Sequence, residues 1–431
     1  MKEFELIASA TFGLEAIVKR EIIALGYEIT DSRNGRLTYR GDLRAVVRSN
    51  LWLRCADRVY IKMGEFKAKT FEELFQAAKA IAWEEWLPVD AHFIVTGSSA
   101  WSVLHSVPAC QSIIEKAIVT RLSGVYGVER FAKNGPVYTV RFMAQKDEFV
   151  LMIDSSGAGL HDRGYRVKDV PAPIKETMAA AMVSLSFFKP GRFLWDPFCG
   201  SGTIAIEAAM MARNIAPGLT RKFDCSWWKN IPDEIWKEEK AAAYRAIDYD
   251  AEFKIVASDI DPRAIRAAKK NAEAAGVDDC IDFLVQDITV IGDGSLSPFS
   301  VIGDGSLSPF STDIGDGSLS PFSTISQNVE ENRPLYPQNV EENRPLYPDV
   351  DMEHGVIIAN PPYGKRIGEA ELLPGIYGAI KGFMKQNPKW SLFLITSDKD
   401  FEKAMGRPAD RRRKLYNGDI EVCYYQYYGE K

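Results

Sequence analysis

Arg192-Phe193-Leu194-Trp195-Asp196-Pro197-Phe198-Cys199-Gly200-Ser201-Gly202-Thr203 reads as a strand that ends in an acid and turns on glycines. The next nine residues, Ile204 to Ala212, are strong helix formers. Strand, glycine turn and helix in succession form the nucleotide-binding βα unit of an open α/β sheet. The glycines permit positive φ and a close approach of backbone to ligand. The spacing is not G-x-G-x-x-G and no G-K-[ST] follows, which excludes the dinucleotide fingerprint and the P-loop. Asp196, ahead of the glycines, suits a cationic ligand group.

Three further strand ends carry polar groups. Lys254-Ile255-Val256-Ala257-Ser258 runs into Asp259, then a helix from Arg263 to about Ala275. A carboxylate at that place can accept from both hydroxyls of a ribose. Ile281 to Val285 ends in Gln286-Asp287, where an acid or amide suits the amino group of an adenine. Val356-Ile357-Ile358-Ala359 ends in Asn360-Pro361-Pro362-Tyr363. Two prolines cannot continue a ladder, so they fix a rigid turn. The Asn oxygen, a backbone carbonyl and an aromatic face then meet in one pocket, which suits a planar substrate with an exocyclic amino group. Singly, each acid is more often a helix N-cap, and an isolated Asn-Pro-Pro-Tyr is as readily a plain loop. Four successive strand ends make the stronger case.

These motifs resemble the class I S-adenosylmethionine-dependent methyltransferases of the amino-methylating group. More narrowly, the chain is similar to the THUMP-domain RNA guanine-N2 methyltransferases of the bacterial RlmL-like branch. The matching stretches are DPFCGSGT (196–203), SDIDP (258–262), QD (286–287) and NPPYG (360–364). NLWLRCADRVYIKMGEF (50–66), SVPACQSIIEKAIVTRL (106–122) and LHDRGYR (160–166) extend the resemblance through the N-terminal half. It implies an α/β, Rossmann-like class I methyltransferase domain over 166–431. A ferredoxin-like domain over 1–60 and a THUMP RNA-binding domain over 61–165, both α+β, would precede it.

The resemblance also implies S-adenosyl-L-methionine as cofactor, with Phe198, Gly200, Gly202 and Thr203 along it. Asp196 would face its ammonium, Asp259 its ribose and Asp287 its adenine. The helix opened by Ala172-Pro173-Ile174-Lys175-Glu176-Thr177 would pack over its methionine end, although proline also opens ordinary helices. Asn360 and the Pro361 carbonyl would accept from guanine N2, with Pro362 fixing the turn and Tyr363 against the base. The expected substrate is 23S rRNA, with tRNA as the alternative. Adenine-N6 methylation of DNA and a non-catalytic RNA-binding assembly role stay open. A cytosine-C5 mechanism through Cys199 is disfavoured, because that thiol lies inside the cofactor loop.

Composition bounds the rest. The 431 residues, 46% hydrophobic, leave room for two or three domains. Six scattered cysteines and four distant histidines have no metal-ligand spacing, so no metal is expected. Scattered thiols, no signal-like start and no apolar run of membrane length suggest the cytoplasm and no membrane. The net charge of −6 does not announce a nucleic-acid binder. Residues 1–170 carry 23 Lys and Arg against 21 Asp and Glu, so an RNA site must be a local patch. Candidate phosphate contacts are Lys62, Lys67, Lys69, Ser102, His105, Lys116 and Arg121. Taken one by one, each reads as solvated surface. Arg163 and Arg166, at the domain junction, are better placed to reach the substrate.

Periodicity predicts helices over 14–25, 71–82, 112–122 and 368–386, and strands over 4–7, 35–40, 58–63, 92–96, 137–144 and 148–153. An Asn417-Gly418 turn predicts a C-terminal hairpin. An insertion over about 214–250 carries Phe223, Trp227, Trp228 and Trp236. They either hold the insertion down, the preferred reading, or cap the site and stack on bases. Ile-Gly-Asp-Gly-Ser-Leu-Ser-Pro-Phe-Ser occurs at 291–300, 302–311 and 314–323, and an eleven-residue unit at 327–337 and 338–348. These repeats match no solenoid period and read as a poorly ordered surface insertion or a sequence duplication.

Overall fold

The computed structural model describes residues 2–167, 174–291, 350–363, 369–418 and 420–430. Beyond Ile291, the repeats lie outside the described residues, as do Ala172 and Pro173 of the expected helix opening.

The first half contains β1 (Phe4–Ala10), α1 (Glu15–Ala24), β2 (Ile29–Arg33), β3 (Arg36–Gly41), α2 (Leu43–Trp52) and β4 (Ala56–Lys67). It continues with α3 (Phe71–Ala80), β5 (His92–Ala100), α4 (Val107–Tyr126), β6 (Val137–Gln145) and β7 (Glu148–Asp154). Its strands form one seven-stranded sheet in the order β2-β3-β1-β4-β7-β6-β5. The long strand β4 joins two pieces. Its first residues pair with β1 and the rest with β7. The boundary expected at 60/61 therefore runs through a strand.

Two helices differ from the periodicity. The helix α2 was not expected; Asp42 opens it, accepting from the Ala45 N–H at 3.0 Å. The helix α4 begins at Val107 with a proline in its first turn, earlier than the apolar pattern indicates, and ends on Gly127 at φ 66°.

The second half contains α5 (Glu176–Leu185), β8 (Arg192–Asp196), α6 (Thr203–Ala212), α7 (Asp233–Arg245), β9 (Lys254–Asp259), α8 (Pro262–Ala275) and β10 (Ile281–Val285). Then follow α9 (Ile288–Ile291), β11 (Asp351–Ala359), α10 (Glu369–Gln386), β12 (Ser391–Thr396), α11 (Phe401–Met405), β13 (Arg411–Asn417) and β14 (Ile420–Tyr427). The sheet order is β10-β9-β8-β11-β12-β14-β13. Strands β8 to β12 are parallel, and β14 runs antiparallel to both neighbours. Phe193, Leu194, Trp195, Val256, Ile357, Leu392 and Phe393 are all buried, as expected of parallel strands covered on both faces. The chain reverses its strand order on either side of β8, so the crevice between β8 and β11 opens at their carboxyl ends. The C-terminal hairpin forms as expected, with Gly418 at φ 61° in its turn.

A buried seam joins the halves. Glu239 of α7 accepts from Arg44 at 2.7 Å and from Arg48 at 2.8 and 2.9 Å, both on α2. Burial works against its charge, but these guanidiniums hold its carboxyl below the usual range. Asn50 donates to Ser155 at 2.9 Å and accepts from Ser156 at 2.6 Å. Trp228 stacks on Tyr138 at 4.7 Å and donates to the Val137 carbonyl, while Phe223 stacks on Trp236. Phe223, Trp228 and Trp236 are buried, so they fasten the insertion to the first sheet and do not stack on bases; Trp227 alone is exposed.

Candidate active site

One cavity of about 1160 Å³ opens at the carboxyl ends of β8, β9, β10 and β11. Its wall includes Phe198, Cys199, Gly200, Thr203, Asp259, Gln286, Asp287, Asn360, Pro361, Pro362 and Tyr363. The four strand ends thus share one space.

The glycine turn is built around Asp259. Its carboxylate accepts from the Gly200 N–H at 2.9 Å and from the Asp261 N–H at 2.9 Å. Gly200 and Gly202 have φ of 53° and 84°. Gly202 is absent from the wall because it faces α8, where an added Cβ would lie 2.9 Å from that of Ala268. A side chain there would collide with α8, so glycine is required for the turn to pack against that helix. Asp196 lies behind Pro197 and is fully buried. One of its oxygens accepts from Phe198 N–H at 3.2 Å; the other has no hydrogen-bond partner among the described residues. Burial, reinforced by the nearby Asp259 charge, raises its carboxyl well above the usual range. An orphaned acid behind a positive-φ glycine turn fits a ligand that brings a cationic group.

Asp287 lines the wall and also caps the turn of α9, accepting from Thr289 N–H at 2.9 Å and its hydroxyl at 2.8 Å. The neighbouring Gln286 has its side-chain oxygen buried and unpartnered among the described residues. Thr177 is buried and does not line the cavity; Ile174, three residues earlier, does. Cys199 is buried, and desolvation together with Asp196 and Asp259 pushes its thiol well up, so it is not poised as a thiolate.

At the other wall, Tyr363 donates its hydroxyl to Asn360 Oδ1 at 2.8 Å and accepts from Asn417 Nδ2 at 3.4 Å. Burial pushes the Tyr363 phenol up to about 12, so it remains a donor at neutral pH. An amide oxygen has two lone pairs, so Asn360 keeps one for a substrate N–H. Asn417 was read only as a turn residue. Its position after a strand gave no sign that the hairpin folds back onto the cavity.

The cationic candidates fare unevenly. Arg163 is buried and binds Glu207 at 3.2 Å, so it ties the two halves and is closed to RNA. Arg166 is held by Glu176 at 2.9 Å and by the Ile174 carbonyl, and lies 3.4 Å from Thr203. It shapes the cavity wall and is not displayed as an RNA contact. Lys62 is enclosed by Glu5 at 2.8 Å and Glu65 at 3.0 Å, which neutralise it. Arg121 is likewise paired, with Glu84. Lys67, His105 and Lys116 are exposed. Near the first two stands a residue the sequence reading passed over. Trp101 is 80% exposed at φ 52°. Its loop is fixed by Val103 N–H donating to Asp147 at 2.7 Å and Asp147 N–H to Ser102 at 3.0 Å. No helix among the described residues is long and apolar enough to cross a membrane.

Comparison with known proteins agrees with this layout. The RlmL ferredoxin-like domain matches residues 5–60, the THUMP domain 68–154, and the RMKL-like methyltransferase domain of UPF0020 matches 163–305 and 338–426. The chain is 39% identical to "Putative RNA methyltransferase YpsC" of Bacillus subtilis (strain 168), over 100% of this chain and 97% of that protein. A Listeria monocytogenes protein named as a predicted N6-adenine-specific DNA methylase is 40% identical, with TM-score 0.82 over 100% and 97% of the two chains. SMU.472, solved in complex with SAH, is 34% identical, with TM-score 0.81 over 100% and 99%. The chain therefore belongs to the UPF0020 family of RlmL-like methyltransferases, with a class I methyltransferase fold behind ferredoxin-like and THUMP domains.

Proposed function

We propose that the chain transfers a methyl group from S-adenosyl-L-methionine to the exocyclic N2 of a guanine in RNA, with 23S rRNA as the substrate. The observation that carries this reading is that the Asn360–Tyr363–Asn417 relay and the glycine turn line one cavity at the ends of the neighbouring strands β11 and β8. The cofactor supplies an electrophilic sulfonium methyl. Asp196 meets the ammonium, Asp259 the ribose hydroxyls, and Asp287 with Gln286 the adenine edge. Asn360 Oδ1 and the Pro361 carbonyl accept from the amino group. This would raise electron density on its nitrogen and aim the lone pair at the sulfonium methyl, with the neutral thioether S-adenosylhomocysteine leaving and the amine's extra proton passing to solvent. Tyr363 holds the Asn360 rotamer, and the two prolines hold the turn. No covalent enzyme intermediate is required.

The THUMP domain and the YpsC relative favour RNA, while the name of the Listeria protein keeps DNA adenine as the second reading. The test is tritium transfer from labelled cofactor into deproteinised 23S rRNA, tRNA and duplex DNA, with Asn360→Ala as control. N2-methylguanine in 23S rRNA, lost in the variant, supports the reading. Label in tRNA alone keeps the chemistry and changes the RNA. Label in DNA alone, or cofactor binding with no transfer to any nucleic acid, overturns it.

A further inference from the structure

The hairpin that brings Asn417 to the cavity also carries Arg411 and Arg413, on β13 at the sheet edge. Residues two apart on a strand share a face, so Arg411, Arg413, Leu415 and Asn417 lie along one side. Leu415 is buried, and this side meets the N-terminal domain. At Gly13, φ 91°, an added Cβ would lie 2.9 Å from the Lys414 carbonyl. Beside it Phe12, 49% exposed, sets its ring edge-on to Tyr416 at 6.2 Å and 71°. The loop holding Phe12 is built. Glu15 accepts from Gly13 N–H at 2.8 Å and from Gly35 N–H at 2.9 Å, which fixes the turn between β1 and α1.

Further along the seam, exposed Arg20 of α1 lies close enough to Arg413 for their charges to act on each other. Arg413 is depressed first by burial, then by the charges of Arg411 and Arg20. Its Nε is buried with no partner among the described residues. The acids in the neighbourhood are already engaged. Glu402 holds Arg412 at 3.1 Å, Glu421 holds Lys414 at 2.7 Å, and Asp410 accepts from Tyr428 N–H at 2.7 Å. Arg413 thus sits among like charges at the domain junction with no ion pair of its own among the described residues. Like charges gathered on an exposed face favour a polyanion.

We propose that the seam between α1 and β13 is a track for the single-stranded RNA that flanks the target nucleotide. Arg20, Arg411 and Arg413 take successive phosphates, and the exposed Phe12 ring, braced edge-on by Tyr416, stacks a base beside the track. Arg411 and Asn417 are six residues apart on β13, so the track runs about 20 Å to the active-site wall. It ends at the one residue, Asn417, that this hairpin contributes to the relay. The ferredoxin-like domain is then part of the substrate site and not only a spacer ahead of the THUMP domain. This proposal rests on RNA being the substrate.

The test uses the full chain with S-adenosylhomocysteine and a fluorescein-labelled twelve-nucleotide single-stranded RNA. Anisotropy is read from low to high salt for wild type, Arg20→Ser/Arg411→Ser and Phe12→Ala. Both arginines are exposed, and cofactor affinity checks the fold of each variant. The double variant is expected to bind at least about tenfold more weakly, with a salt slope shallower by about 1.4, or about 0.7 per lost phosphate contact. Phe12→Ala is expected to lose about fivefold or more with the slope unchanged, because stacking is not ionic. Wild-type affinity and slope in the double variant overturn the track and leave the RNA reading standing. A wild-type chain that binds cofactor but no RNA overturns both.

Discussion

The two walls of the cavity are made on different principles. On the cofactor wall, the acids sit at the ends of adjacent parallel strands and are oriented by backbone N–H groups of their own turn or the neighbouring one. Asp259 takes Gly200 and Asp261 N–H groups, and Asp196 takes Phe198 N–H. On the RNA side, the groups come from distant parts of the chain. Asn417 reaches Tyr363 across 54 positions, Phe12 meets Tyr416, and Trp101 stands on a loop locked by Asp147. The first wall is a local grammar that any sheet of this topology repeats. The second is assembled from contacts between distant parts of the chain, one of them, Phe12–Tyr416, across the domain junction, and on the proposed function it sets substrate choice.

The largest test of this contrast is at the point where the walls meet. Asn360→Ala is expected to cut methyl transfer by about 10²–10³-fold, as for loss of a positioned polar group in a transition state. Cofactor affinity by titration calorimetry should stay within a few-fold. A large loss of cofactor affinity would show that the walls are not separable. Next, Trp101→Ala should weaken RNA binding by about tenfold and leave cofactor binding alone. Filter binding measures the first and calorimetry the second.

The cofactor wall has a pH signature that the RNA wall lacks. Asp196 has a raised carboxyl, and a cationic ligand prefers it ionised. Binding therefore releases a proton wherever the free carboxyl is protonated. Affinity should rise with pH, by up to about one log unit per pH unit, until the free-state pKa is passed, and be flat above it. Asp196→Asn should weaken affinity about tenfold and abolish the slope. Tyr363→Phe removes its hydrogen bonds to Asn360 and from Asn417 and should slow transfer only about fivefold, with affinity for both substrates kept. The smallest effect belongs to Lys62. Its charge is spent on Glu5 and Glu65, so Lys62→Ala should change RNA affinity and its salt slope by less than about twofold.

The legibility of the molecule divides along the same line. Strands β8, β9, β10 and β11 with their terminal acids were readable because apolar runs, glycines and prolines act within a dozen residues. The hairpin was readable from Asn417-Gly418, but its fold-back was not. The helix α2 was missed because its start depends on one Asp42 cap and its residues are shared between the strands β3 and β4 and the helix α7. Arg163, Arg166 and Lys62 were misjudged for a single reason. Sequence reports charge, while availability depends on Glu207, Glu176, Glu5 and Glu65, acids from 3 to 57 positions away. Gly202 and Thr177 lie off the described cavity wall, which sequence alone does not show.

The seam described above has one further consequence. Glu239 clamped by Arg44 and Arg48, the buried Asn50 with its two serines, and Trp228 laid on Tyr138 lock the two sheets together among the described residues. On the proposed function, the exposed Trp101 and Asn360 are then the two jaws of a caliper. Such an instrument measures its object without reading letters. It would accept an RNA whose docking feature and target base lie the right distance apart, and reject the same bases folded to another span.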